Sequence, residues 1–305
     1  MFSHLHCHSY YSFLRGTASP AALARRAAEL GMEALALTDR NNVSGAVEFY
    51  LACREAGIKP ILGVELTENN IYPGETGKNR SGRLRGRSRR AVFLARNLRG
   101  WERICEITTS RQLDADFSLP RTVREAGGEI VIITDSPSLI PTPHPRKIFL
   151  EVTSYMRLRE REEIFRIGRE KKIPLTAANN VYFLSPDDHP LARLLTCIRT
   201  RSTWKEVSPG AAPHSGAWLK SVREMEDSLG EYPDTFLAAA RIAAECELTM
   251  ELGKLHLPRY PLAPGENAPE HLRTLCLSGA RRRYGGGGER MKRRLEKELG
   301  VINRL

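Results

Sequence analysis

The chain has 305 residues, 41% of them hydrophobic, which suffices for one large core or two modest ones and excludes a disordered polypeptide. Lys and Arg number 47 against 36 Asp and Glu, and the resulting net charge of +11 favours an acidic partner, nucleic acid ahead of membrane. The six cysteines stand singly, which excludes a disulfide scaffold and fits a reducing cytoplasm; no apolar run reaches the roughly 18 residues of a membrane span, and the N-terminus lacks the order of a signal peptide.

The run FSHLHCHSYYS, residues 2–12, places His4, His6 and His8 on alternate positions. In an extended strand the three imidazoles share one face, so the run is a candidate metal site. SPAALARRAAELGMEALALTD reads as a helix and a strand: Ser19 caps, Pro20 takes the first helical position, Gly31 closes the end, and the strand stops at Asp39. The unit repeats, with a helix ending near Gly57 and the strand PILGVEL delivering Glu65. AVFLARN, a helix through WERICEITTSRQL, GEIVIITD, IFLEVTS, the charged helix REREEIFRIGREKK and IPLTAANN follow. These strands end on polar residues, at Asn97, Asp135, Glu151 and Asn179 or Asn180. Such alternation builds parallel sheets or barrels, in which ligands gather at the carboxyl ends of the strands.

An α/β fold is therefore expected, with a mixed barrel over residues 1–215. Residues 216–263 read as a helical extension followed by the Pro-rich connector LHLPRYPLAPGENAP. Residues 264–305 read as two basic helices split by four glycines, the start of a further domain whose pattern is cut short. Those glycines do not make a phosphate-binding loop, because no G-K-[ST] follows.

Taken in order, HLHCHSYYSFLRG, ALALTDRNNVSGAVEFY, GIKPILGVEL, FLARNLRGWERICEI, IPLTAANNVYFLSPDD and LLTCIRTRST resemble the PHP domain (polymerase and histidinol phosphatase family) of bacterial DNA polymerase III alpha subunits. LKSVREMEDSL, IAAECELTMELGKLHLPRYPLAPGE and RLEKELGVI resemble the segment joining that domain to the polymerase palm. The resemblance covers essentially the whole chain. It implies a distorted β/α barrel whose strand ends hold divalent metals, used in some members for phosphoester hydrolysis or proofreading. It also implies that the palm, with the polymerase aspartates, lies beyond this sequence, so that this nucleotidyltransferase-like chain does not polymerise on its own.

Mapped residue by residue, the resemblance implies a degenerate metal site. His6 and His8 match its first motif, but the aspartate expected before Gly16 is Arg15. The motif T-D-H is Thr38, Asp39, Arg40; Glu65 matches the bridging glutamate; an expected histidine is Arg90; an expected cysteine is Asp135. The last motif, N-D-V-H, is Asn179, Asn180, Val181, Tyr182. A guanidinium has no lone pair to give a metal. The remaining ligands, His6, His8, Glu65, Asp39 and Asp135, then support at most one weakly held divalent ion, Mn, Zn or Mg, and the arginines are expected to pair with Glu65, Asp39 or Asp135 as a structural core.

Each feature also has a plainer account. His6 and His8 suit buried, hydrogen-bonded histidines, His4 a structural one, and LSPDDHP a helix cap. The run KNRSGRLRGRSRR, residues 78–90, is either a solvated loop or a phosphate-contacting segment carried by Arg80, Arg83, Arg85, Arg87 and Arg89. Three functions follow. The first is a scaffolding PHP region of a DNA polymerase III alpha-like protein in DNA replication or translesion synthesis, partnered by DNA, by the remaining polymerase domains or a separately encoded fragment, and by other replisome proteins, with no membrane. The second is a metal-dependent phosphoesterase or 3'-5' exonuclease. The third is a free-standing basic DNA-binding module.

Overall fold

A computed structural model describes residues 2–68, 89–144, 147–207, 210–254, 260–285 and 288–304. Two compact units are present, Met1–Met250 and Glu251–Leu305. Among the described residues no helix is long and apolar enough to cross a membrane.

In the first unit, α1 (Pro20–Glu29) starts where the sequence marks it, Ser19 Oγ accepting from the Ala22 N–H at 3.0 Å with Pro20 just inside the first turn. It leads into β1 (Ala34–Leu37), buried at every position, as expected of a strand covered on both faces. Then come α2 (Ala46–Glu55), β2 (Lys59–Thr67), β3 (Arg90–Ala95), α3 (Leu98–Leu113), α4 (Leu119–Glu125), β4 (Ile130–Thr134), β5 (Ile148–Thr153), α5 (Leu158–Lys171), β6 (Leu175–Ala178), α6 (His189–Thr200), α7 (Val222–Leu229) and α8 (Pro233–Glu245). The sheet runs β1-β2-β3-β4-β5-β6, and β3 is antiparallel to both of its neighbours while the other pairings are parallel. The fold is thus the mixed α/β sheet expected from the alternation.

The N-terminal run joins the two ends of this sheet. On one side the His4 and Cys7 carbonyls accept from the N–H groups of Ala36 in β1 and of Thr38 just after it, at 2.9 and 2.8 Å. On the other, His6 C=O and His8 N–H bond to Val181, just past β6, at 2.9 and 2.8 Å. The segment is extended without being a regular strand, since its only bridge is at Cys7. The imidazoles consequently do not all share a face: His6 and His8 meet, whereas His4 Nε2 bonds the Lys220 carbonyl at 2.8 Å and its ring packs edge-on against Phe2.

His4 is fully buried, and burial pulls its pKa down to about 4 against the raising effect of the Lys220 carbonyl. A histidine neutral when folded and protonated when unfolded stabilises the fold above its unfolded pKa of about 6.5 and loses that contribution as pH falls towards 4. An NMR titration of the imidazoles is expected to show His4 uncharged at pH 5.5.

The apolar alternation alone marks neither α4 nor α6. α4 is only seven residues long. α6 follows LSPDDHP, whose Asp188 accepts from Ser185 and Leu184 N–H at 3.0 and 3.2 Å, so one of the two carboxylates there caps the short turn that leads into the helix. The second unit holds α9 (Ala268–Tyr284), begun by an Asn267 cap, and α10 (Glu289–Ile302), with an Arg273–Glu296 ion pair between them.

Candidate metal centre and its arginines

Because β3 runs against its neighbours, its first residue, Arg90, lies at the edge of the sheet where β2 and β4 finish. Glu65 stands in β2, Glu151 in β5, and Asp39, Asp135 and Asn180 follow β1, β4 and β6. His6 and His8 arrive on the segment joining the sheet's ends. Strand order thus gathers residues from distant parts of the sequence into one polar cluster beneath a cleft of about 1020 Å³.

Arg90 is the hub of this cluster. Its Nη1 donates to Glu65 Oε2 at 3.1 Å and its Nη2 to Asp135 Oδ2 at 2.9 Å, with Glu151 Oε2 3.5 Å away. Burial opposes its charge, but Asp135, Glu65 and Glu151 outweigh burial and raise its pKa well above the ordinary value. His6 is clamped from both sides, Nδ1 on Glu151 Oε1 at 2.6 Å and Nε2 on Glu65 Oε2 at 3.2 Å. Burial would neutralise it, yet the two carboxylates prevail and push its pKa up to about 9, so both ring nitrogens carry protons near neutrality. Burial likewise works against the Glu65 charge, and Arg90 and His6 nonetheless hold its carboxyl well below the usual range.

The tautomer of His8 follows from its neighbours. Ser12 Oγ gives its one proton to Asp39 Oδ1 at 2.6 Å, so it accepts from His8 Nδ1 at 3.0 Å. His8 Nε2 is then an acceptor, served by the Asn180 amide nitrogen at 3.0 Å while the amide oxygen takes Arg90 Nη1 at 2.7 Å. Burial and the charges of His6 and Arg90 hold His8 well below its ordinary pKa, and its ring stacks on Tyr182 at 4.2 Å.

Asp39 faces the N-terminal loop. Its oxygens accept from Ser9 N–H at 2.7 Å, Ser9 Oγ at 2.6 Å and Ser12 Oγ at 2.6 Å; burial outweighs these bonds and raises its pKa. The loop is held tightly, since a Cβ on Gly16 would lie 2.1 Å from the Ser9 carbonyl oxygen. Gly16→Ala is expected to cost about 1–3 kcal/mol in a chemical-denaturation measurement. Of the pairings expected for the arginines, those of Arg90 with Glu65 and Asp135 are present, and Arg40 Nη1 reaches Glu65 Oε1 only at 3.7 Å. Asp39 is engaged by the serines.

Among the described residues, His6, His8 and Glu65 form the one group whose donor atoms lie within 4.8 Å of one another and could hold a metal. The set fits a single ion, taken by His6 Nε2, His8 Nε2 and Glu65 Oε2, with Glu151 behind His6 as an orienting carboxylate. That ion has to displace the proton between His6 and Glu65 and to sit beside the Arg90 guanidinium. Among the described residues no second group of donors converges in this way; Asp135 is bonded to Arg90, and Asp39 to Ser9 and Ser12.

Ser12 is the participant that sequence reasoning passed over, and Glu151 was marked only as a polar strand end and not as a partner of His6. Of the arginine run, Arg80, Arg83, Arg85 and Arg87 lie outside the described residues, while Arg89 pairs with Glu68, Nε to Oε2 at 2.6 Å.

The polar cluster stands at the strand ends of a mixed α/β sheet, and within this unit residues 4–136 match the PHP domain family. Over its whole length the chain is similar to part of several longer DNA polymerase chains. DNA polymerase III subunit alpha of Bacillus subtilis is 28% identical over 100% of this chain and 28% of its own length. The error-prone DNA polymerase of Symbiobacterium thermophilum is 33% identical over 100% of this chain and 30% of its own. The chain therefore spans less than a third of the length of these relatives. Among solved structures, an amidohydrolase from Chromobacterium violaceum overlays 60% of this chain and 88% of its own at a TM-score of 0.40 and 14% identity, too slight a likeness to argue from.

Proposed function

We propose that this chain is the PHP region of a DNA polymerase III alpha-like protein, acting in DNA replication or translesion synthesis, in which the barrel is a scaffold and not a hydrolase. The observation that carries this reading is Arg90, whose guanidinium lies on Glu65, Asp135 and Glu151 together, tying β2, β3, β4 and β5 at the point where divalent ions would otherwise gather. A multinuclear centre, which activates water between ions a few ångströms apart, lacks its donors. On this reading the partners are DNA, the other polymerase domains and further replication proteins, and the compartment is the cytoplasm; the whole-chain similarity to polymerase subunits supports it.

A metal-dependent phosphoesterase is the second reading, favoured by the convergence of His6, His8 and Glu65. A bound ion there would supply Lewis-acid activation of water or of a phosphoryl oxygen. The chain's own contribution would be to orient His6 through Glu151 and His8 through Ser12. Metal analysis of the purified chain, with assays on phosphomonoesters, nucleotide diesters and 3' single-stranded ends in Mn, Zn or Mg, separates the two. Substoichiometric metal and no turnover are expected; turnover abolished by His6→Ala and by His8→Ala overturns the scaffold reading.

A further inference from the structure

The amphipathic order of α6 is inverted. The face it buries holds Ala192, Thr196, Cys197 and Arg199, all small or polar, with Thr196 Oγ1 donating to the Ala192 carbonyl at 2.9 Å and Arg199 Nη2 to the Ala211 carbonyl at 2.8 Å. Its large aliphatic side chains are turned outward instead: Leu191 is 46%, Leu194 49% and Ile198 56% exposed. A helix on the outside of a domain ordinarily buries such residues. With about 3.6 residues per turn, positions 191, 194, 195 and 198 fall within an arc of about 100° and a length of about 10 Å, so they form one continuous stripe. Single exposed leucines are ordinary on a folded protein, whereas a contiguous stripe marks a surface that something covers. Trp204, 44% exposed, adds a further apolar group beside the helix, where Arg193 Nη2 donates to its carbonyl at 3.0 Å and the guanidinium lies 4.3 Å from its ring centre.

The charges at the two ends of the stripe point to the occupant. Asp187, in the turn just ahead of α6, and Arg201, which closes the helix, are both exposed, and among the described residues neither side chain enters an ion pair. Each stands seven positions from Leu194, in the middle of the stripe. The order acid, Leu191, Leu194 with Leu195, Ile198, base is therefore its own complement when two copies run antiparallel. Leu191 then meets Ile198, the central leucines meet each other, and Asp187 meets Arg201, every pairing occurring twice about a two-fold axis, as an isologous contact requires. A nucleic-acid backbone calls instead for cations along the whole face, and an anionic membrane for cations at both ends, whereas one end here is acidic.

We propose that α6 is the contact face of a two-fold symmetric dimer of this chain, in which two copies of the helix pack antiparallel through Leu191, Leu194, Leu195 and Ile198 and are held in register by reciprocal Asp187–Arg201 pairs. The inference goes beyond the proposed function and does not depend on it. One helix face buries less than the roughly 800 Å² per partner of a standard interface, so a dissociation constant in the micromolar range is expected. At about 150 mM salt the net charge of each copy is screened beyond roughly 8 Å, while the short reciprocal pairs are screened less.

Analytical ultracentrifugation of the full chain between about 1 and 300 μM, at that salt concentration, tests it. A monomer–dimer equilibrium is expected. Leu194→Glu, checked for folding by circular dichroism, should weaken the dimer at least a hundredfold. Asp187→Lys and Arg201→Glu should each weaken it about tenfold alone, because each sets like charges against one another at both ends of the contact. Mixing those two variants in equal amounts should bring the dimer back, since the new base of one copy faces the new acid of the other and the unchanged Asp187 and Arg201 face each other as before. A chain that stays monomeric throughout leaves the stripe to a different protein and overturns the proposal. So does a dimer indifferent to Leu194→Glu, or one in which mixing the two charge variants restores nothing. The scaffold reading survives any of these outcomes.

Discussion

Replacing Arg90 with methionine is expected to lower the unfolding free energy by about 3–5 kcal/mol, the cost of removing one partner from a buried, hydrogen-bonded ion pair. Methionine keeps much of the stem's volume, so the loss reports mainly the carboxylates left behind. Glu65 is 0% and Glu151 1% exposed, and Asp135 would lose both of its bonds from Arg90. For a folded unit of this size the change lowers the melting temperature by on the order of 10 °C. Urea or thermal melts measure it directly. Adding Glu65→Gln to Arg90→Met should recover part of the loss, since the second substitution removes a charge that the first has stranded. An unchanged melt for Arg90→Met would mean that the cluster does not hold the barrel together. Arg40→Ala should cost clearly less, because its ion pair with Glu65, at 3.7 Å, is longer than a hydrogen bond.

What could be read from the sequence, and what could not, follows from the physics of this sheet. His6, His8 and Glu65 were legible because each interrupts an apolar context at strand spacing, and they do converge. The pairing of Arg90 was legible only as a possibility. Its position depends on β3 being antiparallel to β2 and β4, which puts the beginning of one strand beside the ends of two others; no local pattern encodes that direction. Glu151 was legible as a polar strand residue but not as the clamp on His6, a contact that spans 145 positions. Asp39 carried the right residue type and met different partners, since the turn through Ser9 and Ser12 supplies donors to its carboxylate before any ion can. His4 departed from its expected face because the N-terminal run borrows hydrogen bonds alternately from β1 and from Val181 and never adopts a regular strand's geometry.

Restoring histidine at the two positions where the resemblance places it, as Arg40→His with Arg90→His, is expected to raise affinity for Zn or Mn at least a hundredfold over the wild-type chain. At about 5 Å and an effective dielectric near 20, each guanidinium repels a divalent ion by roughly 6 kcal/mol, and its replacement by a neutral imidazole removes that repulsion while adding a lone pair. Against this stands the loss of the Arg90 ion pairs, so the variant without metal should melt lower than wild type, and metal should bring much of that stability back through its preference for the folded chain. Competition with a chromophoric chelator gives the affinity, and melts with and without metal give the linkage. The two readouts must agree, because an ion that binds the folded site more tightly must also stabilise it. If affinity stays at the wild-type level, charge at Arg40 and Arg90 is not what excludes the ion, and the exclusion lies in the protons shared among His6, Glu65 and Glu151.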